Sequence, residues 1–598
     1  MAGCEFAAKS PVVTRAKSTD ALPLSDVLDT VRSRAHLTRS SVVSDPDETA
    51  ERGPIAKTPS QLGHVAVRGP SHPLWQTNWP APGPAHATSP NGGDGYIELV
   101  TPDEEPTYPE PDVSEDNPES EHWIWAGAHR PPLPRPFVEY MTHDWAPQTV
   151  AEPPHPAADR TRVRRSGVRA AFAGKTLVVP SGGLKVRAND TDFRFRPGSD
   201  FYWLTACDDV DAVVVVHPEG HEIEATLYVE ERRDSSSHRF FSDSRYGEAW
   251  VGPRRGLHEA ASRWAIDTAP RDQLEKDLVA LEPSKVVALR GYDARVDAVV
   301  APSDSDAQLA TSLSELRLVK DDFELARLQE AVDLTVLGFE DVVRALPTAI
   351  GRSERVIEGV FNLRARVDGN DVGYNTIAAA GSHATILHWT NNDGIVVDGD
   401  LLLLDAGIEV RDLYTADVTR TMPVTGTFTT PQREIYELVL AAQQAAIDVV
   451  RPGAGFRDPN TAAMKVLSQG LLDLGILSVG PAEAMRTELP LHARYTLHGV
   501  SHMLGIDVHD CSHARETTYF KGPLEVGYVL TVEPGLYFQP DDLTVPEQYR
   551  GIGVRIEDDL VVTEDGCRVL SAALPRDPDA IESWMTELFS RPAPQLGL

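Results

Sequence analysis

LLLLDAGIEVRDLYTADVTRT, residues 401–421, sets Asp405 at the end of a leucine run and Asp417 twelve positions further on. A short apolar run closed by a turn residue reads as a buried strand, and an ionised carboxylate at its end must be paired, protonated or bound to a cation. The pattern returns along the chain. Glu533 ends VLTVE (529–533), Glu557 ends GVRIE (553–557), and HGVSHMLGIDVHD (498–510), with His502, lies between Asp417 and Glu533. Taken one at a time these residues have ordinary uses. An Asp at a strand end is usually a turn or cap residue, a Glu in a strand a salt-bridge partner, and a lone His part of a core or a surface. Taken in order, DAG, ADVTRT, HGVSH, VEPGLY and RIED supply the Asp, Asp, His, Glu, Glu set of two hard divalent cations that share bridging carboxylates.

The purpose of two ions about 3.5–4 Å apart is to hold a bridging hydroxide at neutral pH and to polarise a scissile carbonyl, so the ligand set points to hydrolysis. Carboxylate and imidazole ligation without thiolate suits manganese, cobalt, iron or zinc in a reactive site and not a structural zinc.

The whole chain is compatible with such an enzyme. Its 598 residues call for two or three folded units and an extension. A formal charge of −34 disfavours nucleic acid and anionic membranes, which demand clustered Lys and Arg. Cys4, Cys207, Cys511 and Cys567 form no CxxC pair, which fits a reducing cytoplasm. The amino terminus lacks the apolar core of a signal peptide, and the longest apolar runs are too short to span a bilayer.

Residues 1–150 show no sustained apolar period and are read as a disordered acidic and proline-rich extension; a start codon set too far upstream, with Met141 as a later one, is an alternative origin. From 151 to 312, RTRVRRSGVRAAFA reads as helix, and TLVVP, DFYWLTA, DAVVVVHP and ATLYVEE as short strands, an α/β domain. From 313 to 598 a second domain opens with an amphipathic helix on which Leu325, Leu328, Val332, Val336, Phe339, Val343 and Leu346 share a face. It continues with the strands DLLLLDAG, VLTVEPGLYF and VRIEDDLVVT between helices, an α+β arrangement.

The segments 401–421, TLHGVSHMLGIDVHDC (496–511) and 529–563 carry a resemblance. The chain is similar to aminopeptidase P, the Xaa-Pro aminopeptidase of the creatinase and methionine aminopeptidase "pita-bread" superfamily, from about residue 158 to 587. The resemblance implies a creatinase-like amino-terminal domain, a pita-bread catalytic domain, two metal ions that are typically Mn2+, and a homodimer or homotetramer acting on peptides with proline in second position. It assigns Asp405, Asp417, His502, Glu533 and Glu557 as metal ligands. Glu533 doubles as the base that takes the proton of the bridging hydroxide. His388 and His509 bind substrate and stabilise the tetrahedral intermediate, His498 lines the proline pocket, and Arg555 closes on the site. Asp200 and Trp250 resemble substrate contacts at the entrance. The twelve steps from Asp405 to Asp417 are one more than expected, which implies a bulge or a longer turn in the intervening loop. Prolidase is the nearest rival, since it uses the same centre on Xaa-Pro dipeptides. A non-catalytic pita-bread binding protein is the rival of another class, disfavoured because no ligand is missing.

Overall fold

The structure, a computed structural model, describes residues 123–124, 133–146 and 148–592. Most of the expected extension, 1–150, therefore lies outside the described residues. Its last part forms a short antiparallel pair, Trp123–Ile124 with Leu133–Pro134, and a helix, Arg135–Thr142. Described residues up to Tyr140 belong to one compact unit and those from Met141 onward to another. All numbered elements lie in the second.

After α1 (Ala158–Ala171) come β1 (Thr176–Pro180), α2 (Ser199–Thr205), β2 (Val213–Val216), β3 (Ala225–Val229), β4 (Asp267–Pro270) and β5 (Val286–Ala288). The strands form a mixed sheet ordered β4-β3-β2-β1-β5, parallel at both edges. Every residue of β1, β2 and β3 is buried. That is why these strands read as unbroken Val and Leu rather than as an alternation. DFYWLTA, expected as a strand, is instead the helix α2, begun at Gly198 and ended by Ala206 in the left-handed region at φ 56°. A short run of wholly buried aromatics has no period that distinguishes a strand from a helix.

The helix α3 (Asp306–Arg317) runs through residue 312, the expected domain boundary. The helix α4 (Asp322–Ala349) begins with a capping box between Asp321 and Glu324. Leu328, Val332, Phe339, Val343 and Leu346 of its apolar face are fully buried, while Leu325 and Val336 are half-buried. Against α4 packs α5 (Arg355–Asp368). Then follow β6 (Ile377–Ala380), β7 (Leu401–Ala406), β8 (Val418–Pro423), α6 (Thr430–Ile447), α7 (Asp458–Asp473), β9 (Val529–Val532), β10 (Gly535–Tyr537), β11 (Gly553–Arg555), β12 (Asp558–Thr563), β13 (Gly566–Val569) and α8 (Pro578–Phe589). These strands pair antiparallel in the orders β6-β7-β8, β9-β12-β13 and β10-β11, and the helices cover one large core with them.

The hairpin β7–β8 holds a single register. Leu401 lies opposite Pro423 and Ala406 opposite Val418. Beyond the strands, Ala416 N still donates to Ile408 O, and Val410 N to Tyr414 O. The pairing thus runs to a tip at residues 411–413, where Leu413 takes φ 66°. Of the two expectations for the long loop, the turn is realised and the bulge is not. The tip is anchored in the amino-terminal domain, because Asp412 accepts from Tyr202 Oη at 3.0 Å and pairs with His155 at 3.1 Å. The same register sets Gly407 opposite Asp417. A Cβ at Gly407 would meet Ala416 O at 1.8 Å, so Gly407→Ala is expected to cost about 3 kcal/mol through forced backbone displacement. Denaturant unfolding reads this directly, and an unshifted midpoint would contradict it.

Candidate metal centre

Residues two apart on a strand share a face, and directly opposed residues in an antiparallel pair share one too. Thr419 lies opposite Asp405, so Asp405, Asp417 and Thr419 emerge on the same face of the hairpin. The second ribbon repeats the arrangement. Val532 lies opposite Asp558, and beyond a break Gly535 lies opposite Arg555 in the same register. Glu533 therefore faces Glu557 across that break, with Arg555 on the same face. VLTVEPGLYF and VRIEDDLVVT, each expected as one strand, are each two strands, and the interruption falls at the glutamate in both. Pro534 supplies part of the reason, since it has no N–H to give to a ladder.

The two ribbons are stitched together beside the acids. Glu557 N donates to Thr419 O at 3.1 Å, and Asp417 N to Asp559 Oδ2 at 3.1 Å. His502 arrives on a segment running along β9, where Thr531 N donates to His502 O at 3.0 Å and Glu533 N to Val500 O at 2.8 Å. The structure brings all five sequence-assigned ligands to one place. His502 Nε2 lies 3.2 Å from Asp417 Oδ2 and 3.7 Å from Glu533 Oε1. One donor atom each from Asp417, His502 and Glu557 falls within 4.8 Å of the others.

Like charges directly opposed across a sheet are destabilising, and here Glu557 is also fully buried. Burial pushes the Glu533 carboxyl up to about 7 against the pull of His502 and Arg555. Burial, then Asp417, Glu533 and Asp405, raise Glu557 well above the carboxylate range. Burial also raises Asp405, although the Arg555 guanidinium that donates to Asp405 Oδ2 opposes it. Burial disfavours charge on His502, yet the hydrogen bond and charge of Asp417 outweigh this and lift it to about 9. Two further observations mark a shortage of positive charge. Tyr374 Oη lies 2.6 Å from Asp405 Oδ1 and 2.5 Å from Asp417 Oδ1, one phenolic proton for two acids. Glu557 Oε2 accepts from Thr419 Oγ1 at 2.7 Å, while its Oε1 is buried without a partner. Two hard cations fit this donor set.

The centre lines a cavity of about 750 Å³ that is also bordered by His388, His498, His509, Arg555 and Tyr374. His498 shares a hydrogen bond with Tyr537 Oη at 2.7 Å, and burial followed by the Arg555 charge lowers it to about 4. The His509 ring meets the His502 ring edge-on at 4.3 Å and is likewise lowered by burial and by His502. Asp200 and Trp250, expected from the resemblance as entrance contacts, are not among the residues that line this cavity. Asp200 is buried and ion-paired with Arg317 at 2.7 Å. Trp250 donates its indole N–H to Phe241 O at 2.8 Å. Tyr374, Thr419, Tyr537 and Asp559 went unread in the sequence. Thr419 was within reach, as the register of ADVTRT sets it opposite Asp405. Tyr374 was not, since its position depends on β6 pairing with β7.

The wall beyond His509 is held by charge. Asp510, 2% exposed, accepts from Lys320 at 3.0 Å and from Arg317. Burial would raise its carboxyl, but Arg317 and Lys320 prevail and lower it from 3.8 to about 2. A depressed folded-state value means stability that is complete above about pH 4 and disappears as pH falls toward 2, worth about 2 kcal/mol. Asp510→Asn leaves two buried cations short of a partner and is expected to lose about 3 kcal/mol at pH 7. Thermal unfolding unchanged by the substitution would contradict the arrangement.

Residues 326–564 match metallopeptidase family M24, and residues 161–287 match the amino-terminal domain of aminopeptidase P. Xaa-Pro aminopeptidase 1 of Streptomyces coelicolor is 50% identical over 457 residues, 76% of this chain and 92% of that protein. Xaa-Pro aminopeptidase of Escherichia coli is 32% identical over 71% of this chain and 96% of its own length. Among solved structures, proline aminopeptidase P II from Yersinia pestis superposes with a TM-score of 0.64 at 33% identity, over 72% of this chain and 99% of that one. Aminopeptidase P from Escherichia coli with the inhibitor Pro-Leu gives 0.64 at 30% identity, over 73% and 100%.

Proposed function

As the chain belongs to the Xaa-Pro aminopeptidase family and removes, in a metal-dependent reaction, the residue that precedes proline at a peptide amino terminus, we propose that Asp405, Asp417, His502, Glu533 and Glu557 hold its metal ions. Two ions of Mn2+ per chain suit four carboxylates and one imidazole. The observation that carries the assignment is the Glu533–Glu557 pair facing the Asp405–Asp417 pair with one Glu557 oxygen unpartnered. When bound, two such ions lower the pKa of water toward neutrality and polarise a carbonyl.

The chain's own groups do the rest. Glu533 accepts the proton of the attacking water and returns it to the proline nitrogen as the bond breaks. His388 and His509 donate to the oxygen that gains charge at the first carbonyl, a contribution of roughly 2–4 kcal/mol per donor. His498, fixed by Tyr537, borders the pocket for the proline ring. Arg555 donates directly to Asp405 from behind, and is itself held by its bonds to Thr419 Oγ1 at 3.1 Å and Tyr537 Oη at 3.0 Å.

We propose a cytoplasmic homodimer or homotetramer. Among the described residues Cys207, Cys511 and Cys567 are free thiols and no helix is long and apolar enough to cross a membrane. Manganese-loaded protein given Xaa-Pro-Xaa, Xaa-Ala-Xaa and Xaa-Pro peptides tests the reading. Cleavage of the first at the Xaa-Pro bond, in preference to the other two, is expected. Preference for the dipeptide would overturn it.

A further inference from the structure

The loop between β6 and the start of β7 carries His388, and Gln539 holds its first part, donating to Thr385 O at 2.8 Å and accepting from Thr385 Oγ1 at 3.1 Å. The anchor nearer His388 is Glu354, the residue that precedes α5 and is wholly buried. Glu354 Oε1 accepts from Ala380 N at 2.7 Å and lies 3.0 Å from His383 Nδ1. Glu354 Oε2 accepts from Trp389 Nε1 at 2.8 Å and from Gly394 N at 2.8 Å. All four partners belong to residues 380–394, so one carboxylate ties the point where the chain leaves β6, the point where it returns, and two rings between them. The rings also stack, His383 on Trp389 with centroids 3.9 Å apart. Packing around the anchor is tight enough that a Cβ at Gly394 would meet the His383 ring at 2.4 Å.

His388 is the neighbour of Trp389 and is itself exposed on the cavity side. An exposed side chain gains little orientation from packing, so its backbone must be fixed by what adjoins it. A buried carboxylate with four donors is worth its desolvation only if the donors are all present, which makes Glu354 the group that fixes the loop around Trp389. We infer that Glu354 is a positioning residue for His388, acting through Trp389, and thereby sets the precision with which the oxyanion donor meets substrate. The inference rests on the role given to His388 above.

Glu354→Gln is nearly isosteric but turns an NH2 toward N–H donors. Outer-sphere partners of this kind typically control 10–100-fold of activity, and kcat on a Xaa-Pro-Xaa peptide should fall by that amount with KM changed less than about threefold. Trp389→Phe keeps the ring stack and removes only one donor, so it should show a smaller loss in the same parameter and covers the case in which Glu354→Gln does not fold. The decisive comparison is a double-mutant cycle with His388→Ala. If Glu354 acts through His388, adding Glu354→Gln to His388→Ala lowers kcat less than twofold further. Full multiplication of the two losses, or wild-type kcat in folded Glu354→Gln and Trp389→Phe, would overturn the positioning role while leaving His388 in place. Wild-type turnover in His388→Ala alone would instead remove the reading on which the inference stands.

Discussion

Glu533→Gln is expected to lower kcat on a Xaa-Pro-Xaa peptide by about a thousandfold while the protein stays folded. The size follows from what is removed. A positioned general base contributes about 10²–10⁴, and glutamine cannot take a proton. The side chain stands where three influences meet, with His502 Nε2 at 3.7 Å, His498 Nδ1 at 3.5 Å and Glu557 facing it across the ribbon. Folding should survive, since the substitution removes one of the opposed buried carboxylates and keeps the shape of the side chain. The loss should appear in kcat with a smaller change in KM, because the interaction belongs to the transition state. A variant within tenfold of the wild type would remove Glu533 from the proton path.

Stripping the metal should abolish turnover and also weaken the fold. Without cations, Glu533 and Glu557 oppose each other, Tyr374 spans Asp405 and Asp417, and Glu557 Oε1 is orphaned in the interior. A ligand that binds only the folded state stabilises by its mass-action term, about 4 kcal/mol at a free concentration a thousandfold above Kd. Scanning calorimetry of chelated protein should therefore show a lower Tm that returns, together with activity, on adding Mn2+. An unchanged Tm with full activity in chelator would show that these carboxylates do not need a cation.

Much of this centre could be read in the sequence because a charged residue closing an apolar strand has few physical explanations. Asp405, Glu533 and Glu557 each end such a run, and the fold sets each where a partner strand supplies the next acid. The length of the Asp405–Asp417 loop was legible as an irregularity but not as a docking tip, since the contacts of Asp412 with Tyr202 and His155 join segments far apart in the chain. DFYWLTA misled because burial on every side erases periodicity. The setting of Asp200 was illegible for a different reason. Its neighbours suggested an entrance residue, while its charge is taken up by Arg317, more than a hundred positions away. Glu354 gave no signal at all, because its four partners converge only when the loop of residues 380–394 has folded back on α5.

The measurement closest to the central claim is the metal content per chain of purified, manganese-reconstituted protein, determined beside His502→Ala and Asp417→Ala. Two ions per chain in the wild type and one or fewer in each variant are predicted, with activity following occupancy. Two ions retained in both variants, or an active wild type with none, would contradict the assignment.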